Sequence, residues 1–314
     1  MARSSLAVTN PTPVTRRSRW HVSAWKRSEY LAAAIFIAPG LIWFLGFMLY
    51  PLVYSAWMSL HEWKIRGPSE FVGLANYARV FADSVNLIAL RNTIVYALLS
   101  VPAQMLLGLV IALGLEQLSR GKVVLRLIYY LPVICSWVVV SLMFMFLFNS
   151  EGLFNHVFGD ILGLVDPNTA WLNRASTALP VIALLGVWKG MGWSMLIYLA
   201  ALQSVPAELT EAARVDGANR SQVTRFITVP LLKPTTLFIA VLLTIGAFQS
   251  FIQFYVMTGG GPLRQTEVFL SYMYDQAFNF LDFGYASAIA WTLAALILVI
   301  SLVQFKLIKS NYEY

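Results

Sequence analysis

Bond-making chemistry needs nucleophiles, acids and bases gathered together, and this chain of 314 residues keeps them apart. Its three histidines, His21, His61 and His156, are scattered. Its one cysteine, Cys135, sits in an apolar stretch where a buried small hydrophobe is the expected role, and it excludes an intramolecular disulfide. No His, Cys or carboxylate cluster has metal-ligand spacing, and no Gly-x-x-x-x-Gly-Lys-Ser/Thr phosphate loop is present, so no catalytic residue and no metal site are expected. The residues that remain suit recognition. One group is a short polar segment, 206–233. The other is a set of polar and aromatic side chains set among apolar ones: Trp188, Lys189, Gly190, Trp193 and Ser194, then Thr244, Phe248, Gln249, Ser250, Gln253 and Tyr255. Polar groups in such company face a partner, a neighbouring helix or a cavity.

The composition explains that company. Charged residues make up 12% of the chain, about half the roughly 25% of a soluble domain, while 59% of residues are apolar. Asp, Glu, Lys and Arg are absent from 30–61, 92–115, 127–150, 234–263 and 283–305, and a sixth stretch, 177–205, carries Lys189 alone. Each is long enough to cross a bilayer as a helix, which takes about 20 residues. The expected fold class is therefore all-α, a polytopic membrane protein with six transmembrane helices. Six crossings put both termini on one side. With the N-terminus cytoplasmic, fifteen of the 22 basic residues fall in inside segments, and this asymmetry favours that orientation. It also accounts for the net charge of +7 without nucleic acid, for which no recognition motif is present.

The expected organisation is a disordered, basic cytoplasmic tail over 1–29, a transmembrane domain over 30–309 that includes the loop 206–233, and a short tail over 310–314. A cleaved signal peptide is not expected, since the apolar run from Leu31 exceeds a signal core. Outside, Phe71, Val72, Leu74, Tyr77, Val80 and Phe81 suggest short surface helices, and Trp171 an interfacial anchor. Glu267, Asp275 and Asp282 are expected on a solvated surface.

The loop predicts a compact helix-turn-helix. Pro206 suits a first helical turn, Glu208 and Glu211 favour its positive end, and Gly217 is placed to end it in a left-handed cap. A second helix is expected from Ser221 as N-cap to the residue before Pro230. Ala212 and Ala213 leave one face of the first helix flat, open to close approach by another protein.

With Glu211-Ala212-Ala213, Asp216-Gly217-Ala218 and Ile227-Thr228-Val229-Pro230, the loop resembles that of the inner-membrane permease subunits of binding-protein-dependent ABC importers. Ala38-Pro39-Gly40, the run Phe71-Val72-Gly73-Leu74-Ala75-Asn76-Tyr77, Leu131-Pro132 and Thr258-Gly259-Gly260-Gly261-Pro262 are similar to the carbohydrate-uptake branch, so the resemblance runs from about Leu31 to the C-terminus. Maltose-type and glycerol-3-phosphate-type subunits are the nearest kinds. The resemblance implies a type I ABC importer permease fold in a bacterial or archaeal inner membrane. It also implies a second, related permease chain, two cytoplasmic ABC ATPase subunits carrying ATP and Mg, and an extracytoplasmic solute-binding protein. This chain would bind no cofactor. Glu208, Glu211, Ala212, Ala213, Asp216, Gly217 and Arg220 would form the ATPase-coupling element.

The same resemblance carries sugar-contact positions of maltose-type subunits onto Gly190, Trp193, Leu243, Ala247 and Ser250. Leu243 and Ala247 are apolar where those relatives are polar, which argues against maltose itself. The expected pathway set is Lys189, Gly190, Trp193, Thr244, Gln249, Ser250 and Gln253. For Lys189, pairing within the protein and attraction of an anionic solute both stand open. Sugar or oligosaccharide import is the first reading and a glycerol phosphate the second. An autonomous secondary transporter or channel is a rival, although the spans hold no carboxylate for ion coupling. A membrane-embedded enzyme would need a catalytic constellation that the chain lacks.

Overall fold

The computed structural model describes residues 24–63, 69–118 and 120–307. Most of the expected N-terminal tail and all of 310–314 lie outside the described residues; helix α1 already begins at Ala24. Two compact units are present, Met1–Tyr54 and Ser55–Tyr314. In the first, α1 (Ala24–Trp43) passes through a π-helical stretch, Phe44–Leu49, into α2 (Tyr50–Met58), whose last four residues, from Ser55, are counted with the second unit, and Trp43 stacks on Phe47 with ring centroids 4.2 Å apart.

The second unit continues with a two-stranded antiparallel ribbon, β1 (His61–Glu62) and β2 (Glu70–Phe71), in the register His61 opposite Phe71. Outside the membrane only Tyr77, Val80 and Phe81 of the expected surface-helix set lie on a helix, α3 (Ala75–Ala82); Phe71 is on β2. Then come α4 (Ser84–Glu116), α5 (Lys122–Ile134), α6 (Trp137–Leu147), α7 (Leu153–Asn155), α8 (Ala175–Gln203), α9 (Ala207–Val215), α10 (Arg220–Val223), α11 (Val229–Leu231), α12 (Lys233–Phe248), α13 (Ile252–Met257), α14 (Phe269–Tyr274) and α15 (Phe283–Leu307). Among the described residues four helices are long and apolar enough to span a bilayer, and two bent pairs bring the number to as many as six if each pair is one span.

Helices α4 and α8 form the centre of the bundle. Their contact is close because small residues occupy it: Ala89, Ala97, Ala112 and Ser100 on α4, and Ala178, Ala183 and Ser194 on α8 are all buried. Tyr198, Met195 and Leu199 of α8 continue the core towards Leu232 and Ile239.

Two apolar runs that read as continuous spans are broken. The third turns by 96° between α5 and α6. Pro132 lies in the last turn of α5 and supplies no amide, so the ladder is weakened where Cys135 becomes extended at φ −64°, ψ 145°. The fifth stops at Phe248, and α13 resumes at Ile252. There Ser250 donates its hydroxyl to the Gly246 carbonyl at 3.1 Å, and the Ser250 amide turns to Ala247 in a tightened last turn.

The end of the bundle at which α4 begins is tied by Asp83. One carboxylate oxygen caps α4, accepting from the amides of Val85 at 2.9 Å and Asn86 at 3.5 Å, while the other accepts the hydroxyls of Tyr272 on α14 and Tyr285 on α15 at 2.5 and 2.9 Å. Burial opposes ionisation of Asp83, yet these donors outweigh it and hold the carboxyl below its usual value. Burial and the Asp83 partner raise the Tyr272 phenol. Nearby, Arg79 pairs with Asp282 at 2.8 Å and lies over the Tyr285 ring.

Glu267 is buried rather than solvated. Ser271 donates to its carboxylate, Arg264 approaches at 3.5 Å, and Asn92 of α4 donates to its backbone carbonyl at 2.9 Å. Burial is the main reason its carboxyl lies above the usual range; Asp275 adds to the rise, and Ser271 and Arg264 reduce it. Asp282 is likewise engaged, with Arg79 and with the Tyr285 amide. Trp171 turns inward, donating to Asn155 at 2.5 Å and packing edge-on against Phe154.

Two stability effects follow. Replacing the cap, Asp83→Ala, strands two phenols and the first amides of α4, and destabilises by about 1–2 kcal/mol, read as a lowered melting temperature in detergent. In the wild type this contribution is present above an unfolded value of about 4 and is lost as pH falls through the depressed folded value. Glu267 behaves oppositely: its folded value is raised, so its contribution is full below the unfolded value of about 4.3 and is lost as pH rises through the raised one. Glu267→Gln therefore melts above the wild type by a margin that grows from acid to neutral pH. A margin that does not change with pH contradicts this assignment.

Candidate functional site

The loop between α8 and α12 is built from local signals. Helix α9 carries Glu208 in its first turn and Arg214 in its last, each on the favourable side of the helix dipole. It ends in a complete Schellman motif. The Gly217 amide donates to the Arg214 carbonyl at 3.0 Å, the Ala218 amide to the Ala213 carbonyl at 2.9 Å, and Gly217 adopts φ +86°. A Cβ at Gly217 meets nothing within 4 Å, so backbone conformation alone selects glycine there. Glu208, Glu211, Ala212, Asp216, Gly217 and Arg220 are exposed, and Ala213 is half-buried. No residue of α9 is buried, and Val215 is 87% exposed: the helix stands clear of the bundle.

The second loop helix differs from its expected limits. Its N-cap is Asn219, not Ser221: the Gln222 amide donates to the Asn219 side chain at 3.0 Å, and the Asn219 amide donates back to the Gln222 side chain at 2.7 Å. This capping box outcompetes a lone serine. The helix also does not stop before Pro230. A π-helical stretch, Thr224–Thr228, precedes the proline, which sits in the first turn of α11, where its missing amide is tolerated.

A cavity of about 550 Å³ opens where α12 breaks. Gly190 and Trp193 of α8 line it, with Gln249, Ser250 and Gln253 around the break and Leu243 and Ala247 on α12. Gly190 leaves room for the Gln104 side chain of α4, whose carboxamide would have to move aside for a Cβ at that position. Gln253 is 2% exposed and donates to the Tyr96 hydroxyl at 3.2 Å, which ties the break to α4.

Two residues expected on the pathway face elsewhere. Thr244 is buried and accepts from Gln304 of α15 at 2.7 Å; it lies one position, about 100° of helix, round from the cavity-lining Leu243. Lys189 is 4% exposed and points at α5, where its ammonium donates to the carbonyls of Pro132, Val133 and Cys135 at 2.9, 3.0 and 2.7 Å. These carbonyls end a helix and lack helical partners, so the cation satisfies them and the negative end of the dipole together.

Among the cavity residues missed from sequence are Tyr96 and Gln104 on α4, Trp137 at the start of α6 and Phe251 in the break of α12. Tyr96 and Gln104 are eight positions apart in a charge-free run, about 80° apart round the helix, a signal too sparse to say which face turns inward. Trp137 gave no such signal, because it reaches the cavity only through the bend. Among the described residues that line the cavity none is charged. Its wall combines aromatic rings, carboxamides and hydroxyls with the aliphatic side chains of Leu242, Leu243, Ile252 and Leu270, a surface able to stack on and hydrogen-bond a neutral polyhydroxylated solute and unsuited to acid-base chemistry.

Residues 104–309 match the family model described as binding-protein-dependent transport system inner membrane component. The probable ABC transporter permease protein YurN of Bacillus subtilis is 37% identical over 284 residues, 89% of this chain and 96% of that one. The lactose transport system permease protein LacF of Rhizobium radiobacter is 32% identical over 288 residues, covering 90% and 96%. Among solved structures, a bacterial ABC transporter involved in the import of the acidic polysaccharide alginate superposes with a TM-score of 0.79 at 25% identity, over 92% of this chain and 99% of that chain. With the family matched over most of the chain, the relatives aligned nearly end to end and the fold shared with a solved transporter, the chain belongs to the binding-protein-dependent transport system inner membrane components: it is a multi-pass ABC transporter permease, a transport component and not a catalyst.

Proposed function

We propose that this chain is one of two permease subunits of an ATP-driven importer that moves a neutral sugar or oligosaccharide across the inner membrane. The observation that carries this reading is the uncharged, aromatic and carboxamide-walled cavity at the break of α12, set between the two helices that enter and leave the exposed loop. A lactose-system relative agrees with that wall. A glycerol phosphate fits less well, since the Lys189 ammonium is occupied by carbonyls and no other cation lines the cavity among the described residues.

In this reading a different but related permease chain completes the pathway, and an extracytoplasmic solute-binding protein delivers the sugar. Two cytoplasmic ABC ATPase subunits, holding ATP and Mg, grip α9. The flat face at Ala212 and Ala213 admits a groove of the ATPase, and Glu208, Glu211, Asp216 and Arg220 form its polar border. Both termini are then cytoplasmic. ATP binding closes the ATPase pair and moves α9; α8 and α12 follow, and the cavity changes from inward-facing to outward-facing.

Two variants test the two ends of this path. Gly217→Pro places φ near −65° where +86° is required and deletes the amide bonded to Arg214, so it disrupts the loop while leaving membrane insertion intact. Uptake by the reconstituted importer then falls by about tenfold or more while the ATPase subunits still hydrolyse ATP; undiminished uptake removes α9 from the coupling role. Trp193→Ala raises the half-saturating sugar concentration by about three- to tenfold with unchanged co-purification of subunits, on the scale of one lost stacking contact. An unaltered uptake curve takes Trp193 out of the path.

A further inference from the structure

Lys189 is the only charged residue in the six apolar stretches, and it is not among the residues that line the cavity. Its ammonium has three donors, and three carbonyls, of Pro132, Val133 and Cys135, receive them. All three lie at the end of α5, where the chain turns through 96° before α6. The next helical residue after the bend is Trp137. Its ring centroid lies 4.9 Å from the Lys189 nitrogen, and the ring forms part of the cavity wall. One side chain of α8 therefore determines where α6 departs and where Trp137 stands.

The position of Lys189 along α8 adds a second consequence. Its neighbour Gly190 and, one turn on, Trp193 line the cavity, and the helix continues to Gln203, just ahead of the α9 loop. In a bilayer carbonyls freed from a helix need a protein donor, and among the described residues the Lys189 ammonium is the one bonded to these three. A shift of α8 along its axis draws the bend with it, because three charge-assisted hydrogen bonds resist separation more than the dispersion contacts around them.

We propose that Lys189 is a positioning residue: it staples the bend between α5 and α6 to α8, so that movement arriving from the cytoplasmic loop is passed to Trp137 and reshapes the cavity wall. The side chain touches no solute. This rests on reading the cavity as the sugar path, and the experiment separates failure of one from failure of the other.

The complete importer, with its partner chains and binding protein, is reconstituted in proteoliposomes and assayed for ATP-driven uptake of neutral and uronic-acid oligosaccharides. For a neutral oligosaccharide taken up by the wild type, Lys189→Met raises the half-saturating concentration about tenfold with subunits still co-purifying, and Lys189→Arg, which keeps the donors, stays within about threefold of wild type. In a Trp137→Ala background the Met substitution adds no further shift, because the group it positions is already gone. If the Met variant does not assemble, Lys189→Gln, with two donors, carries the same comparison and gives an intermediate shift that vanishes in the Trp137→Ala background. Equal effects of Lys189→Met or Lys189→Gln with and without Trp137 overturn the proposal, as does an unchanged half-saturation. A loss confined to uronic-acid substrates overturns it in favour of direct contact with an anion. Absence of ATP-driven sugar uptake by the wild type overturns the reading of the cavity, and this inference with it.

Discussion

A chain that crosses a membrane six times has no water with which to mend a broken helix, and this constraint orders the rest of the structure. Where the ladder is interrupted, side chains take over, some from the same element and some from a distant one. At the end of α5 it is Lys189, at the start of α4 Asp83, and at the break of α12 Ser250 locally and Gln253 through Tyr96. The breaks are useful as well as tolerated. Each leaves a corner that a straight helix cannot supply, and the cavity lies among two of those corners.

The two ends of the molecule then have different physical characters. One end is cross-tied by carboxylates and phenols: Asp83 joins α4, α14 and α15, Arg79 meets Asp282, and Glu267 is buried. In the loop between α8 and α12, α9 buries none of its residues and is shaped by its own caps. A tied end and a free-standing helix suit the proposed device, in which force enters through α9. In the proposed cycle α8 carries that force, since it joins the loop, the staple at Lys189 and the cavity in one rigid element.

Sequence legibility follows the range of the interactions. Helix α9 was readable because Glu208, the alanine pair and Gly217 specify it within a dozen positions, and the spans were readable because charge is simply missing from them. The N-cap of α10 was misplaced although its signal was present: Asn219 with Gln222 three positions later is a capping box, and Ser221 alone is a weaker rival. The bends were not readable in full. Pro132 marks a weak point, but the break there is stabilised by a lysine 57 positions further on. Glu267 looked like a solvated acid for the same reason, since the Asn92 amide that anchors its backbone comes from 175 positions away. The α12 side of the cavity could be inferred by helix spacing, whereas its α4 and α6 sides depend on which face each helix turns inward, which a few polar residues in an apolar run leave open.

The central claim is that α9 is the handle by which an ATPase moves this bundle. Its most direct measurement is site-specific photo-crosslinking from position 212, on the exposed flat face of α9, in the assembled and transporting importer. The account predicts an adduct with an ABC ATPase subunit whose yield changes when ATP is bound. An importer that transports normally while position 212 captures no ATPase, with or without nucleotide, contradicts it.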